Sequence, residues 1–128
     1  MSELLKARVE ETDLRSALAI LISLEAVFRI DYRYRLQKKV KGELFKAFRA
    51  IHKSRRRFVR LDEDIFEAWK QNVTESKQLI GRLRSAFNFR DWLAHGRYWV
   101  LKDRKYDFDS LYDLAVTVLS TFDFVGPN

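Results

Sequence analysis

The sequence predicts an all-α fold, and three observations carry that prediction. Pro127 is the sole proline among 128 residues, and the first of four glycines is Gly42. Sheet proteins need frequent turn residues, whereas helix interiors disfavour both glycine and proline. Apolar residues also recur at three- and four-residue spacings in five successive segments. The expected architecture is a small up-and-down bundle of four to five helices with one elaborated loop. A chain of this length suits a single domain, 1–128, burying roughly two-thirds of the surface it exposes when unfolded.

The first helix is predicted from about Glu3 or Thr12 to about Leu36. Leu14, Leu18, Leu21, Phe28 and Tyr32 share one face, and Ile20, Leu24 and Val27 widen the stripe, as in a central helix covered on most sides. Glu25 interrupts that stripe. An ionised carboxylate on an apolar face is costly without a partner, so it either pairs with Arg29 at i+4 or looks into a functional groove. A second helix fits Val40 to about Lys53, burying Leu44, Phe45, Phe48 and Ile51. A third starts after Asp62 as N-cap, with Glu63 and Asp64 favourable near its positive end and Ile65, Phe66 and Trp69 inward.

The fourth helix begins near Thr74 and carries Leu79, Ile80, Leu83 and Phe87 into the segment 88–96. Gly81 within it costs about 1 kcal/mol relative to alanine. The fifth follows Asp107 or Asp109 as N-cap, with Leu111, Leu114, Val118 and Phe122 inward. Between Gly96 and Asp107 lies an aromatic, charged connector.

Composition excludes several function classes. With no cysteine there is no disulfide framework, thiol nucleophile or thiolate zinc site. Two histidines, His52 and His95, are too few for a His-rich metal cluster, so neither metal nor cofactor is expected. The longest uncharged runs are nine residues, well short of the ~20 needed to span a bilayer. No basic n-region followed by a cleavage site is recognisable at the start. The expectation is a cytoplasmic protein without a membrane partner.

The net charge of +7 is uneven: residues 29–60 hold thirteen Lys and Arg against Asp31 and Glu43, and the remaining chain is net acidic. The tightest cluster runs from His52 through Arg55, Arg56 and Arg57 to Arg60. Such a belt is the electrostatic footprint of a polyanion partner, because each neutralised phosphate releases counterions. It equally fits a solvated basic loop or an acidic protein partner. Arg55, Arg56, Arg57 and Arg60 are the candidate RNA contacts there.

The segment from Asn88 to Val100 carries the candidate chemistry. Arg90 and His95 stand with four residues between them, and Asp91 follows the arginine. Histidine exchanges protons near neutral pH, and arginine offers a permanently charged fork for phosphate oxygens. Together they supply a minimum for metal-free RNA cleavage, with the ribose 2′-hydroxyl as nucleophile. Five steps along an ideal helix rotate about 500°, leaving the two positions about 140° apart. Either the helix breaks within the motif, where Asn88, Asp91 and Gly96 are suitable residues, or a second subunit supplies partner groups. The bland alternative is a surface arginine beside a helix-end histidine.

The stretch RDWLAHGRYW, late in an all-α chain, resembles the HEPN superfamily (higher eukaryotes and prokaryotes nucleotide-binding domains). Its signature is an arginine, a polar residue, three variable residues and a histidine, matched by Arg90, Asp91 and His95. The blocks LEAVFRIDY and GRYWVLKDRKYDFDSLY look like a bacterial, plasmid- and defence-associated branch, so the resemblance runs from about Leu14 to Phe122. It implies a helical bundle forming a homodimer, with the motifs of two subunits meeting in a composite cleft. It further implies a metal-independent endoribonuclease of toxin–antitoxin or anti-phage systems, with a separate antitoxin or regulatory protein. Other members are inactive dimerisation or binding modules.

Arg97, Tyr98 and Lys102 interleave cations with aromatics, as suits single-stranded RNA, although Tyr98 and Trp99 suit a core role equally. Glu25 and Arg29 are supporting candidates. Asp103, Asp107 and Asp109 fit loop and capping duty better than a cation site. Trp92 and Leu93 fit the core, and His52 reads as solvated. Two readings compete with the ribonuclease: a catalytically silent helical module, and a DNA- or RNA-binding regulator, for which no helix-turn-helix is visible.

Overall fold

The computed structural model describes residues 3–95 and 108–125, with side chains described over 15–89 and 108–125. Among the described residues the fold is an all-α bundle of five α-helices: α1 (Glu3–Lys38), α2 (Glu43–Arg55), α3 (Glu67–Asn72), α4 (Lys77–His95) and α5 (Phe108–Thr121). Among the described residues no helix is long and apolar enough to cross a membrane.

α1 is the central element and packs against α2, α4 and α5. Its buried face is Ala17, Leu21, Leu24, Phe28 and Tyr32, a three- and four-residue alternation as the pattern predicts. Ala17 occupies the place expected for Leu18, which is only partly buried. Lys39 ends the helix at φ 49°, and the Val40 N–H donates to the Arg35 carbonyl at 3.1 Å.

α2 starts three residues later than predicted. Gly42, at φ 148°, is its N-cap, a backbone state that glycine adopts without a Cβ penalty. Leu44 and Phe48 are fully packed, whereas Phe45 and Ile51 are only half-buried. The helix ends at Arg56, at φ 56° and ψ −122°, and a 3₁₀ turn over Arg56–Phe58 follows.

The third helical segment departs from expectation. It opens as a π-helical turn, Leu61–Phe66, before becoming α3. Arg60, not Asp62, is the residue before it, and the Asp64 carboxylate accepts the Arg60 backbone N–H at 2.8 Å. Asp62 instead accepts the guanidinium of Arg84 on α4, which also grips Glu67 at 2.6 Å. Ile65, Phe66 and Trp69 are nevertheless buried as predicted. The Ser76 hydroxyl, 2.8 Å from the Trp69 carbonyl, satisfies the end of α3 before α4 begins.

Leu79, Ile80, Leu83 and Phe87 of α4, with Leu111, Leu114 and Val118 of α5 and Phe122 just beyond it, complete the core. Asp109 lies inside the first turn of α5 rather than capping it, and Asp107 falls outside the described residues. Phe28 is the hub of the core. Its ring meets Phe66, Phe122 and Phe124 edge-on at 5.0, 5.4 and 5.1 Å between centroids, and such pairs add ~0.5–1.5 kcal/mol each beyond burial.

Past α5 the chain is tied back to α1 by a buried ion pair. Arg35 Nε donates to Asp31 Oδ2 at 2.9 Å, Asp31 Oδ1 accepts the Val125 N–H at 2.8 Å, and Arg35 also reaches the Asp123 carbonyl. The guanidinium lies 5.2 Å from the Trp69 ring centroid, a cation–π contact.

Candidate functional site

The basic belt folds into a groove of about 790 Å³ between the last turns of α1, the outer face of α2 and the segment up to Val59. This size falls within the ~300–1,000 Å³ range of ligand clefts. From α1 come Arg29, Tyr32, Arg33 and Leu36, and from α2 come Phe45, Arg49 and His52, with Arg56 beyond it. Positions 29, 33 and 36, like positions 45, 49, 52 and 56, follow helical spacing, so each helix turns one stripe toward the other.

Charge in the groove is one-sided. Among the described residues seven Lys and Arg line it, no carboxylate does, and Leu36, Phe45 and Val59 supply apolar surface. Among the described residues Arg33, Lys39, Lys41, Arg49 and Arg56 have no acidic partner. Arg29 is engaged: its Nε meets Glu25 at 2.9 Å, and its Nη1 donates to the Val59 carbonyl at 3.1 Å. Glu25 thus takes the ion-pair role and orients an arginine that borders the groove.

The four arginines expected to contact RNA divide. Arg56 and Arg57 line the groove, with Arg57 stacked 5.1 Å over the exposed Phe58 ring. Arg55 instead lies 3.5 Å from Asp64 and 3.9 Å from Glu63, and Arg60 forms a 3.0 Å pair with Glu63. Those acids, on the π-helical turn, offset part of the run's charge. His52 is exposed on the groove wall.

Arg33, Lys39, Lys41 and Arg49 enter the sequence pattern only as belt charge, and the fold makes them individual groove residues. The available signal was the shared stripe of Phe45, Arg49, His52 and Arg56. Backbone geometry adds to it. Among the described residues the two non-glycine residues with positive φ, Lys39 and Arg56, both border the groove. Buried Tyr32 also lines the groove, its ring 4.9 Å from Phe48, and burial, then the Asp64 charge, pushes its phenol above the usual range.

Arg90, Asp91 and His95 lie in the last turns of α4, which runs unbroken from Lys77 to His95. A break near Asn88 or Asp91, one of the alternatives the spacing left open, is therefore absent, Gly96 lies outside the described residues, and positions 90 and 95 are about 140° apart around one axis. The side chains of this motif, of Trp92 and of Leu93, and the whole of Arg97, Tyr98, Trp99, Lys102 and Asp103, lie outside the described residues. Among the described residues none of α4 lines the groove, and no three of His, Asp and Glu gather as a metal site would require.

No family model, curated protein or solved structure matches this chain.

Proposed function

We propose that the protein is a metal-independent endoribonuclease of the HEPN type, acting as a homodimer. The observation that carries this reading is a groove whose described lining holds no acid and whose cations, Arg29 apart, have no acidic partner among the described residues, which suits a phosphodiester backbone. The motif supplies the chemistry. His95 moves a proton from a ribose 2′-hydroxyl, or to the departing 5′-oxygen, while Arg90 offsets charge on the phosphorane. The 2′-oxygen attacks the adjacent phosphorus as the P–O5′ bond breaks, leaving a 2′,3′-cyclic phosphate. Asp91 orients Arg90 or His95.

The unbroken helix supports a composite site. Two positions about 140° apart on one helix do not converge on a single phosphate, whereas paired helices of a two-fold dimer can bring Arg90 of one copy to His95 of the other. The cellular role that accompanies this reading is a toxin or anti-phage component held in check by a separate antitoxin.

The test is cleavage of mixed RNA in excess EDTA by the purified protein, His95→Ala and Arg90→Ala. General acid–base catalysis is typically worth ~10²–10⁴-fold, so each variant loses most turnover. DNA remains uncut for want of a 2′-hydroxyl. Cleavage that requires magnesium, or that survives in both variants, overturns the mechanism. A silent RNA-binding module is the second reading. It is favoured by the groove drawing its described lining from elements other than α4.

A further inference from the structure

We infer that the groove between α1 and α2 seats single-stranded RNA, one base lying on Phe45 while Arg33, Arg49 and Arg56 hold the flanking phosphates. This deepens the ribonuclease reading by assigning its substrate an anchoring site other than the Arg90–His95 motif.

Three observations converge on it. Arg33 and Arg49 come from facing stripes of two helices, so the cations stand on both walls rather than on one convex surface. Neither has an acidic partner among the described residues, unlike Arg55 and Arg60. A merely solubilising charge run needs no concavity and no apolar floor. Phe45 is the third observation. The sequence pattern assigns it to the core, yet its ring is half-buried and faces the groove, one helical turn before Arg49.

A partly exposed ring among cations is the arrangement that single-strand binders use. Bases stack on the aromatic face while cations track the backbone. Duplex RNA hides its bases in the stack and cannot use that ring. The groove volume of about 790 Å³ accommodates a few nucleotides rather than a helix.

Binding is measured in EDTA by fluorescence anisotropy, with the full chain and a labelled single strand of about eight nucleotides. The companion probes are a duplex of the same sequence and an abasic strand of the same length. Arg33→Ala/Arg49→Ala weakens single-strand affinity about ten-fold or more and flattens the salt dependence by about 0.7 per lost phosphate contact. Lys77→Ala/Arg82→Ala removes the same charge from α4 and changes both little. Phe45→Leu keeps apolar volume and fold but removes the stacking face. It weakens RNA about ten-fold and leaves the abasic strand unaffected.

Equal losses in the two double variants reduce the groove to bulk charge and overturn the inference. So does duplex or abasic binding as tight as that of the single strand, or a dimer that the groove variants dissolve. Because binding is read apart from turnover, RNA held in the groove without cleavage defeats only the ribonuclease reading. Cleavage unaffected by the groove variants defeats only this one.

Discussion

The Asp31 carboxylate accepts the backbone N–H of Val125 at 2.8 Å, joining positions 94 residues apart in the chain. Its other oxygen holds Arg35, and both side chains are buried. One acidic group on α1 therefore fixes where the chain beyond α5 runs, and so where Phe122 and Phe124 meet Phe28.

Asp31→Ala strands the Arg35 guanidinium in the interior. Breaking a buried pair by removing one partner costs about 3–5 kcal/mol, which urea denaturation reads directly. Burial pushes the Asp31 carboxyl above its ordinary 3.8, outweighing the Val125 N–H and Arg35. The folded state then holds this proton more tightly than the unfolded chain. Its contribution is complete below pH 3.8 and declines as pH rises through the raised value. The stability gap between the protein and the variant accordingly narrows as pH rises above 3.8 through the raised value.

Glu67 behaves oppositely. Hydrogen bonds from Arg84, then Gln71, hold its carboxyl below the ordinary 4.5. The stability it adds is present above pH 4.5 and is lost as pH falls through the lowered value. The group is partly solvated, so Glu67→Gln costs under about 1 kcal/mol at pH 7. Thermal melts of the two proteins should converge as pH falls below 4.5 through the lowered value; a constant offset contradicts the assignment.

Gly81 sits inside α4 with nothing within 4 Å of where a Cβ would stand. Gly81→Ala should therefore stabilise the protein by about 0.5–1 kcal/mol through reduced unfolded-state freedom. A lower melting temperature would mean that the position is covered by something outside the described contacts.

A composite site permits complementation. In a two-fold dimer mixed from Arg90→Ala and His95→Ala subunits, random exchange makes about half the dimers heterodimers, each with one intact site of two. Mixing two inactive proteins should thus restore about a quarter of wild-type RNA cleavage. No recovery after demonstrated subunit exchange would place both residues in one subunit's site.

Much of this fold is legible in the sequence because its core is built from local periodicity. Leu79, Ile80, Leu83 and Phe87 on α4, or Leu111, Leu114 and Val118 on α5, are inward for the reason their spacing gives. The π-helical turn is not legible. Its geometry depends on Asp64 reaching back to Arg60 and on Arg84 holding Asp62 and Glu67 from a different helix. The Asp31–Arg35 pair is not legible for a similar reason, its third partner being a backbone N–H far along the chain. At the candidate site, the basic belt announced itself by composition. Which cations remain unpaired depended on where Glu63 and Asp64 folded.

Lys39 and Arg56 close the two helices that frame the groove, and both do so in left-handed backbone states that glycine would enter freely. A non-glycine residue in such a sparsely populated state stores roughly 1–3 kcal/mol. Arg56→Gly releases that strain against about 0.5–1 kcal/mol of added chain entropy, so it should melt no lower than the parent while binding RNA less well. If the groove holds RNA as proposed, its rim is a place where folding ease and ligand affinity pull in opposite directions. A thermostability screen blind to RNA would erode these corners first.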